Sequence, residues 1–113
     1  MKIVRKSEST KYDASNTADV WEYSVGDKSV NASVGMIKGR YPEKGRVVNE
    51  VCKELVHVLS GEVKLVLNGK EYLLQEDDQV LIEAGEKYYW EGKCELMLIN
   101  VPTWYPEQHK VVE

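Results

Sequence analysis

The sequence predicts an all-β protein, an antiparallel sandwich or barrel of short strands, and three observations carry that reading. Apolar and polar residues alternate with a period of two through Trp21–Val25 and again through Val30–Ile37, which is the periodicity of a strand. Asn68-Gly69 stands between Val63–Leu67 and Lys70–Leu74 and supplies both positive-φ residues of a tight hairpin turn. No segment shows a convincing amphipathic helical pattern, an internal repeat or a low-complexity tract.

The elements follow in order. Residues 1–40 read as strands and loops without a separate domain, with Gly26-Asp27 as the turn between the two alternating runs. Gly39-Arg40-Tyr41-Pro42-Glu43-Lys44-Gly45 is rich in turn residues and is expected to be a loop. Next come a strand ending at Gly61, the Asn68-Gly69 hairpin, a solvated acidic turn at Glu76-Asp77-Asp78, and a further strand over Gln79–Glu83. The tail 101–113, with Pro102, Trp104 and Pro106, is expected to lie extended across a surface.

Composition agrees with a single domain spanning 1–113. A chain of 113 residues is long enough for one core and too short for two. Phe is absent, and seven Tyr with three Trp supply the aromatic bulk suited to short strands. The net charge of −4 is spread along the chain with no basic stripe, so no nucleic-acid partner is expected. No apolar run is long enough to span a bilayer, and Met1–Glu8 lacks the apolar core of a signal peptide, so no membrane association and a cytoplasmic location are expected. Cys52 and Cys94 fit no metal-knuckle spacing and read as reduced thiols.

Within 47–92 the chain resembles the cupin family, whose first motif is G-x5-H-x-H-x(3,4)-E-x6-G and whose second is G-x5-P-x-G-x2-H-x3-N. Glu54 and Gly61 match the first motif with the right spacing, and Gly85 matches the second. The first motif's two histidines fall on Val47 and Asn49, or on Val48 and Glu50 in the shorter register. In the second motif the proline falls on Glu83, the histidine on Tyr88, the asparagine on Gly92 and the leading glycine on Asp77, which implies an altered turn there. The resemblance implies a jelly-roll barrel, commonly a homodimer. It also implies a metal site of three histidines and a glutamate, of which only Glu54 is kept.

Alternation then selects the residues that share a face. Glu54, Val56 and Val58 lie on one side, and Leu55, His57 and Leu59 on the other. If Glu54 faces the lumen as its family counterpart does, His57 does not, and its face becomes a possible dimer contact. Extending the pattern backwards brings Glu50 and Cys52 onto the Glu54 face, unless a bulge brings Asn49 inward instead. Tyr88, at the place of a family histidine, should point towards Glu54 with Trp90 on its face. His109 is expected to be a solvated tail residue.

The function expected is therefore binding of a small polar ligand, a sugar or a carboxylate, without a cofactor. Its site would be formed by Glu54, Tyr88, Trp90, Asn49 and Glu50. Loss of all three imidazoles argues against a transition metal, and any remaining ion would have to use Glu50, Glu54 and Cys52. Two alternatives stand beside it: an enzyme, either metal-independent and epimerase-like or built on that carboxylate set, and an oligomerising interaction module.

Overall fold

The computed structural model describes residues 1–113. Nine antiparallel strands form one curled sheet: β1 (Thr10–Ser15), β2 (Ala18–Tyr23), β3 (Asn31–Tyr41), β4 (Arg46–Asn49), β5 (Lys53–Leu67), β6 (Lys70–Gln75), β7 (Gln79–Ile82), β8 (Lys87–Val101) and β9 (His109–Val112). Strand β8 is the spine. It pairs with β3 and β4 on one side and with β5 on the other, and β5 in turn carries β6 and β7. The result is the jelly-roll barrel that the resemblance implies.

Gly61 does not end a strand. β5 runs 15 residues straight through it, and its register against β8 slips between Val58 and Ser60. At Gly61 φ is +81°, and a Cβ there would stand 2.3 Å from the Lys93 carbonyl oxygen, so this crossing of β5 and β8 has room only for hydrogen. The hairpin at Asn68-Gly69 forms as expected, with φ of 54° and 75°.

Two further boundaries move. Gly39-Arg40-Tyr41 belongs to β3, paired with Gly92-Glu91-Trp90 of β8, and the loop is confined to 42–45. Asp77 adopts φ +70°, the left-handed backbone that glycine favours, so the turn keeps its shape despite the replacement. The acidic run is solvent-exposed, and Gln79–Ile82 lies in register with β5, from His57↔Gln79 to Glu54↔Ile82.

At one end the barrel is filled by a close-packed apolar cluster that includes Val56, Val58, Val63, Leu65 and Ile82. There the binary pattern is conventional, with Val63 and Leu65 buried and Lys64 turned outward. Where the end of β2 pairs with the start of β3 the pattern is inverted. Glu22 and Ser33 face the interior, and Asn31 is 5% exposed, while Trp21, Tyr23, Ala32 and Val34 lie on the outer face.

Candidate functional site in the barrel mouth

Inversion leaves space. A cavity of about 290 Å³ opens between β1, β2, β3, β5, β8 and the tail, and Tyr12, Glu22, Tyr41, Glu54, Tyr88 and Trp90 are among its lining residues. Strand alternation delivers most of these groups, because Tyr88, Trp90, Leu96, Leu98 and Asn100 share the inward face of β8 and Glu54 comes from the neighbouring β5.

A hydrogen-bonded chain ties the site together. Asn100 Nδ2 donates to Glu54 Oε1 at 3.0 Å, and Tyr88 Oη donates to Glu54 Oε2 at 3.2 Å. Asn49 Nδ2 reaches Tyr88 Oη at 3.4 Å. Asn49 Oδ1 then accepts from Gln108 Nε2 at 2.9 Å and from His109 Nδ1 at 2.8 Å. With its Nδ1 acting as donor, neutral His109 offers the Nε2 lone pair to Tyr41 Oη, 3.0 Å away. Trp90 meets Tyr88 edge to face with ring centroids 6.1 Å apart, fixing both rings.

Burial sets the charge states. The Glu54 carboxyl is pushed above the usual carboxylate range by desolvation, which outweighs its bonds from Asn100 and Tyr88. Tyr88 is raised well above an ordinary phenol by burial and by the adjacent Glu54 charge. Tyr41 is pushed up to about 12 for the same two reasons. Burial lowers His109 and keeps its ring neutral. On the opposite wall Glu22 is also raised by desolvation, and Tyr12 rises to about 12 through burial and the nearby Glu22 charge.

Four sequence expectations meet this geometry directly. Glu54, Tyr88 and Trp90 converge at the cavity, and Asn49 is buried behind Tyr88. His57 lies outside, 3.2 Å from Gln79 Oε1 and 3.3 Å from Asp77 Oδ1. Glu50 does not belong to the site. Alternation breaks after Asn49: the chain leaves the sheet at 50–52, Glu50 is exposed, and Gln108 Oε1 accepts from the Val51 and Cys52 amides at 3.1 Å each. The tail is likewise corrected, since His109–Val112 pairs with β4 and carries His109 into the cavity wall.

The family's metal set does not fit these residues. Tyr88 and Asn49 stand at histidine positions and are bonded to each other, Tyr88 also to Glu54, and no three His, Cys, Asp or Glu side chains converge anywhere. The set Glu50, Glu54 and Cys52 is separated by the outward turn of Glu50, and the Cys52 thiol instead faces the Thr103 carbonyl at 3.8 Å.

Sequence reasoning missed Tyr41, Asn100, Glu22, Tyr12, Trp104 and the role of His109. Asn100 was available from the even-numbered face of β8, counted onward from Tyr88 and Trp90. His109 depends on strand pairing across 60 residues and has no local signal.

The family model for the cupin domain matches residues 38–102, more than half of the chain, and the protein belongs to the cupin domain family. Among solved structures, the nucleoside dehydratase Pac13 is similar over 100% of this chain and 92% of its own, at 16% identity and a TM-score of 0.89. A Streptomyces Pac13 variant with uridine matches at 16% identity and a TM-score of 0.89, covering 100% of this chain and 91% of that one. The polyketide cyclase RemF from Streptomyces resistomycificus matches at 14% identity and a TM-score of 0.77, covering 100% and 86%. No curated protein sequence matches the chain.

Proposed function

We propose that this cupin binds a small polar ligand in the barrel mouth, against Glu54, Tyr88 and Trp90, with Asn49 holding Tyr88 from behind. The carrying observation is a cavity of about 290 Å³ that brings a buried carboxyl, a phenol and an indole to one wall. Its size is near the lower end for small-molecule sites, roughly 300–1,000 Å³, and its apolar wall with a few placed polar groups is the usual composition of one. Glu54 uses only part of its acceptor capacity on Asn100 and Tyr88, leaving lone pairs for a ligand hydroxyl.

A second reading, an enzyme working by acid and base residues, has its own support. The raised Glu54 carboxyl touches Tyr88, the Tyr41–His109 pair lines the same cavity, and structural neighbours are named as a dehydratase and a cyclase. A homodimer in the cytoplasm completes the proposal. On the outer face two register rungs cross five strands, Tyr23–Ala32–Ile99–Leu55–Leu81 and Trp21–Val34–Met97–His57–Gln79, so His57 sits within an apolar surface. His57→Asp is expected to shift sedimentation from dimer towards monomer.

Titration with uridine and with D-glucose, followed by Trp fluorescence, tests the ligand reading. A saturable change is expected, lost in Trp90→Ala and weakened at least about tenfold in Glu54→Ala. A flat response to these and to a panel of small sugars and carboxylates would contradict it.

A further inference from the structure

The cavity lining contains four carboxylates, Asp13, Asp19, Glu22 and Glu54, and no lysine or arginine. Its single histidine is His109, whose Nδ1 and Nε2 are both engaged, with Asn49 and Tyr41. Basic groups stand outside it: Lys11 Nζ lies 3.9 Å from Asp19 Oδ2 on a side chain about half exposed, and Lys44 lines the adjoining cleft that shares Asp13, Asp19 and Tyr41. A ligand bearing a carboxylate or phosphate would enter beside like charges with no basic side chain in the lining to pair with it, most unfavourably next to the buried Glu54.

The two inner carboxylates are held in matching ways. Asn31 of β3 and Asn100 of β8 are direct cross-strand partners, and Asn100 is also the partner of Glu54. Asn100 donates its amide to Glu54, and Asn31 donates its amide to Glu22. A polar belt of Glu22, Asn31, Asn100 and Glu54 therefore crosses four adjacent strands on the inside of the mouth. Each amide gives one of its two N–H donors to a carboxylate, and Asn31 Oδ1 already accepts from the Trp104 backbone N–H at 3.2 Å. The two carboxylates of the belt offer a ligand acceptor lone pairs at two separated points.

Resting on the ligand-binding reading above, we propose that the site selects ligands that carry no anionic group and present hydrogen-bond donors at two ends, one to Glu54 and one to Glu22. Neutral polyols and nucleosides have that character, and sugar acids and nucleotides do not. Of the sugar and carboxylate ligands considered from sequence, the carboxylate is thereby set aside. Glu22, absent from every motif, becomes the residue that determines ligand charge.

Matched probes test this without knowledge of the natural ligand. Uridine and uridine monophosphate, and D-glucose and D-glucuronate, are titrated calorimetrically into the wild type, Glu22→Gln and Glu22→Lys, with circular dichroism confirming the fold of each variant. The neutral member of a pair is expected to bind the wild type at least about tenfold more tightly than its anion, and Glu22→Lys is expected to reverse that order. In Glu22→Gln, which keeps the side-chain size, the preference should narrow about threefold or more. Anions that bind the wild type as tightly as their neutral partners would overturn the charge assignment and leave the ligand-binding reading standing. Failure of all four probes on wild type and variants alike would overturn both.

Discussion

The two ends of this barrel use the same strand geometry for opposite purposes. At the closed end, Val56, Val58, Val63, Leu65 and Ile82 point inward and pack together. Around the mouth, β2 and β3 turn Glu22, Asn31 and Ser33 inward and leave Trp21, Tyr23 and Val34 on the outer face. Burying an aliphatic side chain stabilises a fold by roughly 1.5–3 kcal/mol, so inward polar groups here forgo stability that the same backbone could have taken. Stability given up around a cavity is a common mark of a functional site. The lesson is that the closed end explains why the chain folds and the inverted end is where its function should be sought.

The sharpest contrast should come from Leu65→Ala against Ser33→Ala, measured by urea unfolding. Leu65 is 2% exposed within the close-packed cluster, and its truncation is expected to cost about 3 kcal/mol. Ser33→Ala, beside an existing cavity, should change stability by less than about 1 kcal/mol, and equal losses would break the comparison.

Gln108→Ala comes next. This buried amide accepts from the Val51 and Cys52 N–H groups and donates to Asn49, and removing it leaves both N–H groups unpaired while Asn49 Oδ1 keeps its bond from His109. A loss of about 2 kcal/mol is expected, together with a rise in the His109 pKa seen by NMR as water reaches the ring.

A smaller effect, readable as a pH dependence, concerns Glu54. Its folded pKa is raised, so the folded state binds the extra proton between the unfolded and folded values. The stabilisation is full below the unfolded carboxyl range and is lost as pH rises through the folded value. Glu54→Gln has no such charge to bury, so its stability relative to wild type should climb as pH rises from the unfolded carboxyl range through the folded value, and a constant difference would contradict the assignment. His109 runs the other way: its folded pKa is depressed, so stability falls as pH drops below about 6.5 and levels off below the folded value.

The smallest expected change in monomer stability is for Val34→Lys on the outer face, within about 0.5 kcal/mol at low protein concentration. Its effect should appear instead in sedimentation, as loss of the proposed dimer.

How much of this was legible depended on range. That Glu54, Tyr88 and Trp90 share one interior face could be read because a motif fixed two anchors and period-two alternation did the rest. The same alternation misplaced Glu50, since it cannot register the break at 50–52, which is held by Gln108 from the far end of the chain. Gly61 reads as a stop in sequence, yet packing against Lys93 makes it a bend inside a longer strand. Glu22 was hidden for a different reason. A strand of alternating large apolar and polar residues suggests that the apolar set faces inward, and only the position of β2 beside a cavity reverses that preference.

The three tryptophans offer the most direct test of the central claim, because Trp90 and Trp104 line the cavity while Trp21 stands on the outer face. Their indole N–H signals, assigned by single Trp→Phe variants, would be followed by NMR during titration with uridine and with D-glucose. Saturable shifts are expected for Trp90 and Trp104, with Trp21 unmoved. Shifts confined to Trp21, or none at any of the three, would contradict a ligand site in the barrel mouth.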